Sequence, residues 1–227
     1  MNWREARLIG FDVETAGNEP NGALDPIEGR IVQLAFTIYS PGGEIYGPEY
    51  ERKCGLDGVD LPPSVSAIHH IWPEDVAGKP SADALMGELS SFLADFVAED
   101  HVFIAYNGVF DCAFIYQAFK RCGMLDALPF DPYRVLDPLT FARSMSDHNR
   151  LPELASRLNV PTGGAHEACR DVRTTIQVML TLADILKLPD DFDELLKLQE
   201  MHISAWEKRT KRCYREILLK VLPEVEK

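Results

Sequence analysis

Four acidic residues and one histidine carry most of the reactive potential of this sequence. Asp12 and Glu14 close the apolar run Ala6–Val13. In a strand, residues two apart project to the same side, so both carboxylates face one way. Two such groups held close repel unless a proton or a cation lies between them. An all-oxygen environment of this kind suits hard cations such as Mg²⁺ or Mn²⁺. Taken alone, in an acidic chain, such a pair is more often two solvated surface acids.

Asp111 closes the string Tyr106-Asn-Gly-Val-Phe-Asp111, just after the apolar stretch His101–Tyr106. Asn107 is placed to cap a helix there, and Phe110 and Phe114 would share one face of it. A carboxylate in a first helical turn also compensates the helix dipole. Asp171 lies beside Val172 on the apolar stripe of a later helix, with His166 five residues ahead. Five helical steps turn by about 140° net. His166 and Asp171 therefore converge only if His166 sits on a loop, which Thr162-Gly163-Gly164 can supply. A loop histidine beside a cation site is a candidate general base; otherwise it is a surface histidine.

Together these pieces resemble the DEDDh subgroup of the DnaQ-like 3′–5′ exonucleases, over roughly residues 6–187. The matching motifs are Phe11–Gly17 (FDVETAG), Ala105–Asp111 (AYNGVFD) and His166–Thr175 (HEACRDVRTT), with Ile68-His69-His70-Ile71 between the first two. The resemblance implies a ribonuclease H-like α/β fold, a mixed β-sheet flanked by helices, to which the break at Pro189 adds a C-terminal helical extension. It implies two Mg²⁺ or Mn²⁺ ions on Asp12, Glu14, Asp111 and Asp171, with His166 deprotonating the attacking water. Thr15, Ile68, His69, Asn107 and Phe110 match positions that contact the terminal nucleotide. Phe110 would stack on a base, and His69 would meet sugar or phosphate. The chain departs from the family's common pattern at Ala16, His70 and Tyr106, where a Thr, a Gly and a His often stand. None of these carries the metal chemistry.

The elements that must position these groups follow from periodicity. Strands are expected over Ala6–Val13, Arg30–Tyr39, Glu44–Cys54, His101–Tyr106 and Arg134–Leu139. Helices are expected after Pro63, from Ser81 to Val97, from Asn107 to Cys122, from Leu151 to Leu158, from Glu167 to Lys187, and through 190–222. Residues 17–30 read as a loop rich in Gly, Pro and Asn that could overhang the substrate. Pro189 suggests a division into an exonuclease domain, 1–188, and a C-terminal helical extension, 189–227.

The chain has 227 residues and a net charge of −13, which excludes a basic protein that coats nucleic acid by bulk charge. Five cysteines without a CxxC pair argue against a disulfide framework or a zinc site. With neither a signal-peptide core nor an apolar run of membrane length, the expected location is cytoplasmic, with no membrane partner. Across 208–220, six basic residues meet only Glu216. This strip is either a solvated face or a grip on a phosphate backbone. The expected partner is a single-stranded 3′ end, of DNA or RNA. A polymerase subunit or a second copy could dock on the C-terminal helix, as in a proofreading subunit. A phosphatase acting on small nucleotides is a further alternative.

Overall fold

The computed structural model describes residues 1–18, 21–41, 43–146, 149–162 and 168–222. Along the chain run β1 (Arg7–Ala16), β2 (Arg30–Tyr39), β3 (Tyr50–Lys53), α1 (Pro63–His69), α2 (Pro73–Val76), α3 (Ala82–Val97) and β4 (His101–Ile104). Then come α4 (Val109–Arg121), α5 (Pro138–Ala142), α6 (Leu151–Arg157), α7 (Ala168–Leu186), α8 (Phe192–Thr210) and α9 (Glu216–Leu219). The sheet order is β3-β2-β1-β4, with β1 parallel to β4 and the other pairs antiparallel. The expected α/β architecture, a mixed sheet flanked by helices, is what forms.

β1 runs on to Ala16 and β4 stops at Ile104, and two expected strands differ more deeply. The third shortens to Tyr50–Lys53, because Gly47 adopts φ +78° and Pro48 follows, leaving only an isolated bridge between Tyr39 and Ile45. The stretch Arg134–Leu139 contributes one bridge, Leu136 to Ile104. Asp137 then accepts from the Leu139 amide, and Pro138 takes the first helical position, so the chain turns into α5 instead of extending. The helix expected over 190–222 is broken at Lys211, which adopts φ +59° and ends α8.

Side chains alternate along β1. Ile9, Phe11 and Val13 enter the core shared with α3 and α4, while Leu8 enters the one shared with α7. Gly10 lies against α7: a Cβ there would sit 2.6 Å from Val172 Cγ1 and 2.7 Å from Ile176 Cδ1. The missing side chain lets α7 lie directly on the strand. Asp12 stands two residues beyond Gly10, and Asp171 adjoins Val172, so this approach sets how near the two acids come.

The segment after Pro189 packs into both cores. Phe192, Leu195 and Leu196 of α8 join the α7 side, and Leu218 and Val221 join the α4 side. Trp3 is fully buried and donates its indole N–H to the Pro189 carbonyl at 2.9 Å. Among the described residues, no helix is long and apolar enough to cross a membrane.

Gly10→Val should force α7 away from β1. A loss of about 1–3 kcal/mol is expected, the usual cost of overpacking. It would be read as a lower urea midpoint with an unchanged slope.

Candidate active site

The site forms where β1 outruns its neighbour. β4 pairs with Arg7 to Gly10 only, so the edge of β1 beyond Gly10 has no strand beside it. The Val13 amide at this edge donates instead to Asp111 Oδ1, at 2.9 Å. One hydrogen bond thus sets the first turn of α4 against the strand that carries Asp12 and Glu14. α7 brings Asp171 to the same place, where it acts electrostatically on both Asp12 and Glu14.

Like charges crowd here. Burial pushes Asp12 well above the usual carboxylate range, and Asp111, Glu14 and Asp171 push it further. Burial and Asp171 raise Glu14 from 4.5 to about 7. Burial raises Asp111 as well, although the amides of Val13 and of Asp111 itself oppose this. Among the described residues no three His, Cys, Asp or Glu side chains are grouped closely enough to hold a metal ion. The acids are gathered from three elements, and their chemistry suits a hard divalent cation: oxygen donors alone, in a partly desolvated setting that favours added positive charge.

Beside the acids lies a cleft of about 290 Å³, lined by Glu14, Thr15, Leu24, Ile68, His69 and Phe110 among others. Four of the five residues expected to meet a terminal nucleotide thus share one cavity. Their local roles refine the expectation. The Thr15 hydroxyl is taken by the Ala23 carbonyl at 2.6 Å, so it fastens the 17–29 loop. His69 is buried, and its Nδ1 accepts from the Ile71 amide at 3.1 Å. Ile68 stays 66% exposed at the rim. Phe110 is partly buried, with its ring 4.8 Å from Phe114. Asn107 stands apart: it is exposed, does not line the cleft and does not cap α4, whose N-cap is Gly108. His70 ends α1 at φ +57°, the left-handed geometry that favours glycine, which accounts for the Gly common there in the family. His166 lies outside the described residues.

The loop that could overhang the substrate forms one wall of this cleft through Asn18, Asn21 and Leu24. It closes backbone to backbone. A Cβ on Gly17 would fall 2.1 Å from the Gly22 carbonyl carbon, and one on Gly29 would fall 2.5 Å from the Gly22 oxygen. In the sequence, only the spacing of those glycines hints at this clasp.

Asp137 does not stand out in the sequence, yet it ties the turn before α4 to α5, α8 and Tyr214. Its carboxylate accepts the amides of Asn107 and Gly108 at 3.0 Å each and that of Leu139 at 2.9 Å. Its amide donates to Gln199 on α8 at 2.8 Å, and the Tyr214 hydroxyl also donates to its carboxylate. Burial pushes Asp137 up, while Tyr214 and the amides hold it down. The Asp-Pro pair at 137–138 is the available signal, since it marks a capped helix start.

Two measurements probe this arrangement. Because Glu14 is raised when folded, the folded chain binds more protons than the unfolded chain between about pH 4.5 and 7. Metal-free protein should therefore lose stability as pH rises through that window, and Mg²⁺ or Mn²⁺ should restore it. Melting curves in EDTA at pH 5.5 and 7.5 would show this, and Glu14→Gln should flatten the difference. In Asp137→Ala, buried amides are deprived of their acceptor, so a loss of about 3 kcal/mol is expected, against about 1–2 for Tyr214→Phe. Equal effects in urea denaturation would contradict the central place of Asp137.

Residues 9–179 match the family model RNase_T, described as exonuclease. The chain is 32% identical over 172 residues to the 3′–5′ exonuclease DinG of Staphylococcus haemolyticus, covering 74% of this chain and 17% of that protein. It is 26% identical over 189 residues to a putative bifunctional exonuclease/endonuclease of Mycobacterium tuberculosis, covering 81% of this chain and 27% of that protein. The chain thus spans only a fraction of these relatives' length. Among solved structures, Escherichia coli exonuclease I in complex with a dT13 oligonucleotide superposes with a TM-score of 0.61 at 21% identity, over 79% of this chain and 41% of that one. Cell-death related nuclease 4 superposes with a TM-score of 0.62 at 15% identity, over 79% and 64%. These likenesses establish the ribonuclease H-like fold.

Proposed function

The chain belongs to the RNase_T exonuclease family, and from that premise we propose that it is a 3′–5′ exonuclease of the DEDDh subgroup acting on single-stranded nucleic acid. It would release nucleoside 5′-monophosphates. The observation that carries this reading is the meeting of acids from β1, α4 and α7 beside a cleft lined by Thr15, Ile68, His69 and Phe110. The 3′–5′ polarity of the DinG relative and the dT13 complex of exonuclease I support it, and the latter favours DNA.

In this reading Asp12, Glu14, Asp111 and Asp171 hold two Mg²⁺ or Mn²⁺ ions. Bound there, such ions supply an activated water and offset charge on the leaving 3′ oxygen. The residues of the chain do the rest. Phe110 and the rim at Ile68 hold the terminal base, His69 and the clasped loop close the cleft around its sugar, and Asp137 fixes the turn ahead of Asp111. His166 takes the proton from the attacking water, an act worth about 10²–10⁴ in rate. The location that fits is the cytoplasm. A second reading, a proofreading subunit docked to a polymerase or to a second copy through the C-terminal extension at 189–227, rests on Met201 and Leu219, which stay 67% and 53% exposed there.

The test is a gel assay on 5′-labelled single strands of DNA and RNA with Mg²⁺, Mn²⁺ or EDTA. A ladder that shortens from the 3′ end and vanishes in EDTA is expected; internal cuts, or none in any metal, would overturn the proposal. Asp12→Ala should abolish turnover without lowering the melting temperature, since it relieves repulsion. His166→Ala should slow the reaction by roughly 10²–10⁴ with little change in metal affinity.

A further inference from the structure

Arginines on this acidic molecule are mostly matched with carboxylates. Arg4 pairs with Asp184 and Asp190, Arg7 with Glu99, Arg52 with Glu88, and Arg121 with Asp83. Two residues of the basic strip at 208–220 follow the same rule: Arg215 pairs with Glu200 and leans on the Tyr133 ring, and Lys220 lies 3.7 Å from Asp25. It is therefore not one continuous basic face.

A different grouping forms across the fold. A groove of about 810 Å³ is lined by Arg143, Arg150, Arg209 and Arg212, with Trp206 and a single carboxylate, Glu153. Among the described residues, no ion pair engages Arg143, Arg150 or Arg212, and Arg143 Nη1 is buried without an acceptor. The Arg143 guanidinium lies over Trp206, 4.0 Å from the ring centre. Arg143 also lies over the Tyr214 ring, at 5.3 Å, and a groove holding three arginines without an ion pair, on a chain of net −13, attracts an anion from outside.

The groove adjoins the turn that precedes Asp111. Its floor includes Leu139 of α5, whose amide shares the Asp137 carboxylate with Asn107 and Gly108. On its other wall, the Asn149 carbonyl accepts the Tyr106 hydroxyl. We propose that this groove binds the phosphodiester backbone of the single strand whose 3′ end occupies the cleft, with Trp206 and Arg143 as its stacking wall. A polyanion held at the cleft is the one extended anion already at hand. Paired arginine and aromatic planes suit nucleotide bases as well as phosphates. Arg143 and Arg150 lie within the family match at 9–179, while Trp206, Arg209 and Arg212 lie beyond it. The proposal rests on the exonuclease reading, which it extends to the body of the substrate.

The test compares the full chain with the double variant R150A/R212A. Binding of a fluorescein-labelled 20-nucleotide strand is followed by anisotropy across a salt series, with both proteins in an Asp12→Ala background so that the strand is not consumed. About tenfold weaker binding is expected, with the salt slope reduced by about 1.4, or ~0.7 for each phosphate no longer neutralised. In the wild-type background, hydrolysis of a dinucleotide should be unchanged while KM on the 20-mer rises. Unchanged affinity and slope would overturn the proposal, as would equal losses on dinucleotide and 20-mer. So would an acidic peptide that the variant alone fails to bind while strand affinity holds, because that marks a protein ligand. A reduced slope in a protein that hydrolyses no strand would uphold the groove and sink the exonuclease reading; hydrolysis with an unchanged slope would do the reverse.

Discussion

Repulsion among carboxylates gathered into a half-dry space is the constraint around which this molecule is built. Left to themselves, Asp12, Glu14, Asp111 and Asp171 would separate. The fold opposes this from several directions. Gly10 lets α7 lie on β1 without an intervening side chain. The Val13 amide, free because β4 is short, holds Asp111 in place. Asp137 and its amide partners keep the turn before α4 from yielding. Each of these lies outside the acids themselves, so the scaffold, not the cluster, sustains the crowding.

Much of this is readable in the sequence where a short-range rule is at work. The period of two on β1 puts Asp12 and Glu14 on one side, and Ser81 opens α3 as a cap should. The stripe Val172, Ile176, Met179 faces the core from α7. Sequence and structure part where distant groups decide. Arg134–Leu139 has the apolar look of a strand, but Asp137 and Pro138 commit it to a helix start. Lys211 breaks α8 in a left-handed geometry that a lysine does not advertise. Asn107 reads as a cap, yet its amide is claimed by Asp137, thirty positions on. The matching of arginines to acids depends on tertiary neighbours and has no local sign at all.

The charge pattern is accordingly organised at two scales. Net charge repels a polyanion at long range, while screening confines that effect to about 10 Å at ordinary salt. Inside that distance the local arrangement governs. An acid cluster that suits cations and a groove lined by arginines are then linked through one short helix, α5, and the turn it anchors.

The return of the chain at Lys211 has a consequence for biogenesis. It sends Tyr214 back to Asp137, seventy-seven positions earlier, and packs Leu218 beneath α4. Chains emerge from the ribosome N-terminus first, at about 5–20 residues per second. β1, α4 and α7 are therefore all available before the last support of the turn ahead of Asp111 exists. The nascent chain carries its acids before the brace that holds them together, so the order of synthesis places completion of the reactive centre after residues 211–218 have emerged.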